Sequence, residues 1–221
     1  MASGGRVSET VVDVLAELDR VGAILLDRHF VYKSGKHGSG YINMDPLFPD
    51  VALVSAICAE LVRPFANEFD TVASPATGGV VLAFAGASQA GGDVAAVWAD
   101  KSEDGFAFER AGFVAHLTDK RVLVVEDLLT TGGSVVGVSR EIERHGGTVV
   151  GVSAICNRGA VTAEQLGVPR LEALATVSFE AVAEETCPLC AAHVPIVDDV
   201  GHGAEYRAQH PDYPGGYVSV L

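Results

Sequence analysis

The sequence predicts an α/β fold, a single domain built on a parallel sheet with helices on both faces. Continuous apolar runs recur at Thr71–Ser74, Val94–Trp98, Val122–Val125 and Val149–Ile155. Strands covered on both faces read as unbroken apolar runs rather than alternating ones. Helical stretches separate these runs, one of small residues from about Val80 and one from Ser134 to about His145. Strand–helix alternation of this kind is the signature of βαβ units. The 221 residues are 48% hydrophobic and 20% charged, which suits one folded domain and excludes global disorder.

Each element has a local reason. Val11, Val14, Leu15, Leu18 and Val21 follow helical spacing, and Thr10 with Asp13 predicts a capping box at their start. The polar stretch from Tyr32 to Asn43 is too broken by glycines for a helix. Val51 to Val62 reads as an apolar helix ended near Pro64. Gly146-Gly147 stops the later helix before the fourth strand. No internal repeat or low-complexity linker is present. The whole chain, 1–221, therefore reads as one domain, with an N-terminal addition over about 1–45 and a tail extension over about 185–221. The last dozen residues, with Pro211, Pro214 and Gly215-Gly216, are expected to be loosely attached.

Acidic residues outnumber basic ones 29 to 15, a net charge of −14. That opposes a nucleic-acid partner, which needs a positive surface. Any phosphate must be held by local geometry. No apolar stretch approaches the ~20 residues of a membrane span, so no membrane partner is expected. The start, MASGGRVSET, lacks the apolar stretch of a secretory signal, so the expected location is the cytoplasm. Of the cysteines Cys58, Cys156, Cys187 and Cys190 only the last two form a motif, which argues against a disulfide scaffold.

The strongest signal is the segment from Val122 to Ser134, VLVVEDLLTTGGS. Its apolar run delivers Glu126 and Asp127 to the carboxyl end of a strand. Thr130, Thr131, Gly132, Gly133 and Ser134 then turn into a helix whose first N–H groups and dipole favour an anion. Glycines let backbone approach a phosphate closely, and the hydroxyls add donors. Two adjacent carboxylates can grip vicinal sugar hydroxyls or a hard metal ion. The rival phosphate motifs, G-x-x-x-x-G-K-[ST] and G-x-G-x-x-G, do not occur in the chain.

This segment resembles the 5-phosphoribosyl 1-pyrophosphate (PRPP) signature of the type I phosphoribosyltransferases. The resemblance implies that Glu126 and Asp127 face the ribose hydroxyls and that Thr130 to Ser134 cradle the 5-phosphate. Three further segments resemble orotate phosphoribosyltransferases, in the same chain order: Gly22–Leu25 with Phe30–Asn43, Ser74–Gly79, and Ala154–Arg158. The first looks like an N-terminal hood, with Lys33 by the pyrophosphate or the base and Tyr41 and Ile42 in the base pocket. Thr77, Gly78 and Gly79 belong to a loop that would receive pyrophosphate through backbone N–H groups. Arg158 would meet the orotate carboxylate, and Thr130 would lie beside the base. The resemblance further implies magnesium, carried mainly by PRPP with Glu126 and Asp127 nearby, and a homodimer with loop exchange. The implied reaction is transfer of ribosyl 5-phosphate from PRPP to orotate; transfer to another base and non-catalytic PRPP sensing are the alternatives.

Two departures from the family pattern stand out. The segment Asp100–Arg110, where the family has a mobile catalytic loop rich in lysine and histidine, carries four acids. It keeps Lys101 and Arg110, which would favour the leaving pyrophosphate. A lysine that some members place in the pyrophosphate loop is replaced by Gly78. A subgroup that shares the later Cys-Pro-Leu-Cys looks similar at both places. Cys187 and Cys190 have the spacing of half a zinc knuckle, and His193, His202 and His210 follow. A structural zinc on Cys187, Cys190, His193 and one later histidine is one reading; buried thiols in a turn are the other.

Overall fold

A computed structural model of the chain describes residues 12–220. Its first helix, α1 (Val14–Arg20), is capped by Asp13, whose carboxylate accepts from the Ala16 N–H at 3.2 Å. Thr10, the other half of the expected capping box, lies outside the described residues. The glycine-rich stretch forms short ribbons: β1 (Ile24–Leu25) pairs antiparallel with β4 (Tyr41–Ile42), and β2 (Phe30–Val31) with β3 (His37–Gly38). Helix α2 (Val51–Val62) starts at Asp50, which accepts from the Leu53 N–H at 3.1 Å. Pro64 then sits in a 3-10 turn, Arg63–Phe65.

The apolar runs become strands of one sheet with six members: β5 (Thr71–Pro75), β6 (Ala95–Ser102), β7 (Gly105–Ala107), β8 (Arg121–Leu129), β9 (Thr148–Asn157) and β10 (Leu171–Thr176), in the spatial order β10-β9-β8-β5-β6-β7. All pairings are parallel except β6 with β7. Helices α3 (Gly78–Ala90), α4 (Gly133–Arg144) and α5 (Ala163–Leu166) complete this part. Strand β8 outruns its apolar core because backbone pairing continues past the acids, with Glu126 opposite Ala154 and Leu129 opposite Asn157. Strand β10 carries no comparable apolar run and is a structural addition to the expected four.

Side chains of β8 alternate between two cores. Leu123 and Val125 join Ile57, Leu61 and Leu82 of α2 and α3. Val122 and Val124 join Val135, Val138 and Ile142 of α4. Each fully buried aliphatic side chain contributes about 1.5–3 kcal/mol, so both faces fix the register. From β5 the chain runs outward to β6 and β7, then returns to β8 on the other side of β5. That reversal opens a crevice at the carboxyl ends of β5 and β8, where open α/β sheets bind ligands.

The tail is not loosely attached. After α6 (Pro188–Ala191), strand β11 (Ile196–Val197) pairs with β12 (Tyr217–Val218), with α7 (Gly203–Gln209) between them. The Val197 N–H donates to His29 O at 2.9 Å and the His202 N–H to Val31 O at 3.0 Å. Phe30, Tyr32, Val197 and Val200 share one small core, and Val31, Ile196 and Tyr206 another. The tail thus completes the N-terminal ribbons, whose backbone and apolar faces two-residue strands alone leave uncovered. No helix of the described residues is long and apolar enough to cross a membrane.

Candidate active site

A cavity of about 800 Å³ lies at the carboxyl ends of β6, β8 and β9. Its floor is the turn from Thr130 to Ser134. Gly132 takes a left-handed backbone, φ 76°, and a Cβ there would stand 2.4 Å from Leu166 Cδ2, so this position needs glycine. No side chain caps α4. The first N–H groups of this helix are therefore available to an anion.

Glu126 also lines the cavity, at only 8% exposure. Its Oε1 accepts from the Asp127 N–H at 3.2 Å. Burial, with Asp127's charge added, raises the Glu126 carboxyl well above the ordinary range. Burial also raises Asp127. Successive strand residues face opposite ways, and Asp127 turns toward the start of α3. A Cβ on Gly78 would stand 2.7 Å from Asp127 Oδ2. Glycine at this position therefore lets the loop close on the acid. Thr77, Gly78 and Gly79 lie at the uncapped start of α3, beside Asp127 and off the cavity wall.

Arg158 follows β9 directly. Its N–H donates to Leu129 O at 2.8 Å, and its guanidinium lies 4.5 Å from the centre of the Tyr32 ring. Gly159 permits this approach, because a Cβ there would stand 1.6 Å from Thr130 O. Tyr32 is fixed in turn by its hydroxyl, which donates to Gly40 O at 2.6 Å. Lys33, Tyr41 and Lys101 share the cavity wall with Arg158. Three cationic side chains thus face one cavity of a strongly acidic protein.

Other expected residues stand elsewhere. Ile42 is 2% exposed in the core with α2, away from the cavity wall. Arg110 lies over the Trp98 ring at 4.9 Å and 3.6 Å from Asp100, so a local ion pair and ring hold it outside. The acidic segment is a β-hairpin, with Lys101 paired to Phe106. Phe106 packs on Gly137 of α4, where a Cβ would stand 2.6 Å from its Cδ2. Phe106, Phe179, Gly201 and His202 also line the wall, and no sequence motif marks them for it. Phe179 leaves one trace: a Cβ on Gly40 would meet its ring at 2.5 Å, a cross-chain fit no local pattern encodes.

The expected tail ligands need correction. His193 is exposed with φ 52°, and His202 is on the cavity wall. The histidines that join Cys187 and Cys190 are His29 and His37, from the ribbons. Tail and ribbons meet through backbone pairing, which brings residues about 150 positions apart together. A second cavity, about 750 Å³, includes Thr71, Ala95 and Lys120 at the amino ends of the strands, the end away from the crevice where such sheets bind ligands.

Residues 49–171 match the phosphoribosyl transferase domain. A class of phosphate-binding transferases is thereby defined on the segment that holds the cavity floor. An orotate phosphoribosyltransferase of Caldicellulosiruptor bescii is 37% identical over 174 residues, 78% of this chain and 88% of that protein. One from Thermus thermophilus is 38% identical over 186 residues, 84% of this chain and 98% of that protein. The crystal structure of orotate phosphoribosyltransferase from Aeropyrum pernix superposes with a TM-score of 0.57 and 26% identity, covering 74% of this chain and 93% of that one. The chain belongs to the phosphoribosyl transferase family and, within it, to the orotate phosphoribosyltransferases.

Proposed function

We propose that this protein transfers ribosyl 5-phosphate from PRPP to orotate, giving orotidine 5-phosphate and pyrophosphate. The observation that carries the reading is Arg158, held beside the phosphate turn in one cavity with Lys33 and Lys101. A bidentate guanidinium suits a planar carboxylate, and the relatives bearing this activity by name support orotate as its owner.

In this reading the N–H groups and hydroxyls of Thr130 to Ser134 hold the 5-phosphate. Glu126 and Asp127 hold the ribose hydroxyls and stabilise positive charge as it grows at the anomeric carbon. Lys101 and Lys33 face the departing pyrophosphate, with Thr77, Gly78 and Gly79 as backbone donors to it. Tyr41 and Thr130 border the base. Arg110 approaches only if the hairpin moves from its present ion pair, and Ile42 supports Tyr41 from the core. Two adjacent buried carboxylates with raised affinity for protons make a donor set short of positive charge, which fits magnesium near Glu126 and Asp127. When bound, that ion would neutralise charge on the pyrophosphate.

The same reading makes the protein a cytoplasmic homodimer of the subgroup with a Cys-Pro-Leu-Cys tail, with residues 1–45 as the hood and about 185–221 as its extension. Incubation with PRPP, magnesium and a panel of bases, with pyrophosphate assayed, tests the function. Release with orotate alone is expected. Release with a purine or uracil instead would move the substrate, and PRPP binding without release would point to a sensor.

A further inference from the structure

We propose that His29, His37, Cys187 and Cys190 form a structural zinc site that clamps the tail onto the N-terminal ribbons. The four potential ligand atoms lie within 4.8 Å of one another. His29 Nε2 is 2.9 Å from His37 Nδ1, 3.6 Å from Cys187 Sγ and 3.7 Å from Cys190 Sγ; His37 Nδ1 is 3.2 Å from Cys190 Sγ. A tetrahedral zinc with its usual sulfur and nitrogen bond lengths holds its ligands about 3.3–3.8 Å apart. Two of the observed spacings, 3.6 and 3.7 Å, fall inside that range, and two, 2.9 and 3.2 Å, lie just below it. The cysteines are free thiols, and two thiols with two imidazoles are a donor set that selects zinc over magnesium or calcium.

Orientation supports the assignment. The His29 Nδ1–H donates to Val194 O at 2.9 Å, which leaves the Nε2 lone pair aimed at the thiols. A backbone carbonyl behind a ligating histidine is the usual outer-shell arrangement. The His37 ring stands edge-on to Tyr206 at 5.3 Å, which fixes its plane. His29, His37 and Cys187 are buried, with no exposure beyond 3%, and Cys190 is half-buried. A closed set of four ligands is the structural type of zinc site, without an open position for chemistry.

The site also has a task in this fold. Its ligands come from chain segments about 150 residues apart. His29 and His37 flank the turn that carries Tyr32 and Lys33 to the cavity. The tail supplies Gly201 and His202 to the same wall. The ion would thus hold two cavity walls in register, adding to the backbone bonds from Val197 to His29 and from His202 to Val31 and to the small apolar cores that join them. This site is separate from the magnesium of the proposed reaction and does not depend on which base is used.

Metal analysis of the full-length protein, grown with zinc and dialysed, tests the proposal. One zinc per chain is expected. The cobalt-loaded protein should show visible bands of a tetrahedral ion and a thiolate charge-transfer band. Cys190→Ser and His37→Asn should lose the metal by 10-fold or more in affinity, whereas His193→Ala should keep it. If the ligand variants fail to fold, alkylation of the wild type decides: Cys187 and Cys190 should resist labelling until a strong chelator is added, as mapped by peptide analysis. A protein without zinc, without cobalt bands, and with both thiols labelled equally before and after chelator would overturn the proposal. Full retention of metal in folded Cys190→Ser or His37→Asn would do the same.

Discussion

Arg158 is fixed at both ends, its backbone by the bond to Leu129 O and its guanidinium by the Tyr32 ring. A fixed cation of this kind discriminates by what it leaves unpaired. Removing it would strand a desolvated orotate carboxylate, at a cost of about 2–5 kcal/mol. Uracil lacks that group and loses little. Arg158→Ala should therefore collapse the ratio of kcat/KM for orotate over uracil, and Arg158→Lys should restore part of it. An unchanged ratio would mean the base is read elsewhere. In the proposed reaction Asp127 serves the sugar side, where charge grows only during reaction. Asp127→Asn should keep the fold and lower kcat about 10²-fold or more; near-normal turnover would make the acid structural.

At the scale of elements, the turn from Thr130 to Ser134 depends on contact between two strand ends. The loop after β9 lies against the turn after β8 so closely that Gly159 has no room for a side chain. Its obstacle is backbone, the Thr130 carbonyl oxygen, which cannot rotate away. Gly159→Ala should cost at least the roughly 1–3 kcal/mol of an overpacked site and weaken PRPP binding more than its stability loss explains. Melting temperature and PRPP titration separate the two effects. The β6–β7 hairpin offers the second case. Lys101 is carried by strand pairing to Phe106, which rests on Gly137. Lys101→Ala should lower kcat more than it weakens PRPP binding, because its partner charge grows as pyrophosphate leaves. Weaker PRPP binding with kcat unchanged would make Lys101 a simple binding residue.

For the whole molecule, the buried acids set a balance between stability and function. Glu126 is raised in the folded chain by burial and by Asp127. Its folded form therefore holds a proton over an interval where the unfolded chain has released one. Stability falls as pH rises from the unfolded value near 4.3 toward the raised folded value, and recovers on acidification. Glu126→Gln should weaken this dependence and leave the part that Asp127 carries. The variant should be more stable than wild type at pH 7, by about 0.5–2 kcal/mol as at other strained functional sites, and should turn over poorly. Denaturant melts across pH, without substrate, check the sign. Quaternary structure enters through Lys101, which lines the cavity of its own chain. Loop exchange in a homodimer predicts that mixing Lys101→Ala with Asp127→Asn restores some activity, because one site in each mixed dimer is then intact. A hairpin acting in its own chain restores none.

The parallel sheet, the helix over Val51–Val62 and the turn from Thr130 to Ser134 are legible because each is written in contiguous residues. An apolar run specifies a buried strand, and Thr130 to Ser134 specify their own backbone path. Apolar patterning ends the strand short of Glu126 and Asp127, whereas backbone pairing continues where apolar side chains stop. What the tertiary structure alone decided is who meets whom across long separations. Tyr32 lies under Arg158, Phe179 fills the space left by Gly40, and His29 and His37, rather than His193, face Cys187 and Cys190. The tail, polar and broken by proline and glycine, gave no local sign of order. It is ordered because the N-terminal ribbons are too short to satisfy their own backbone and bury their own apolar faces. Such needs are met wherever a complementary segment exists, and distance along the chain carries almost no information about where that is.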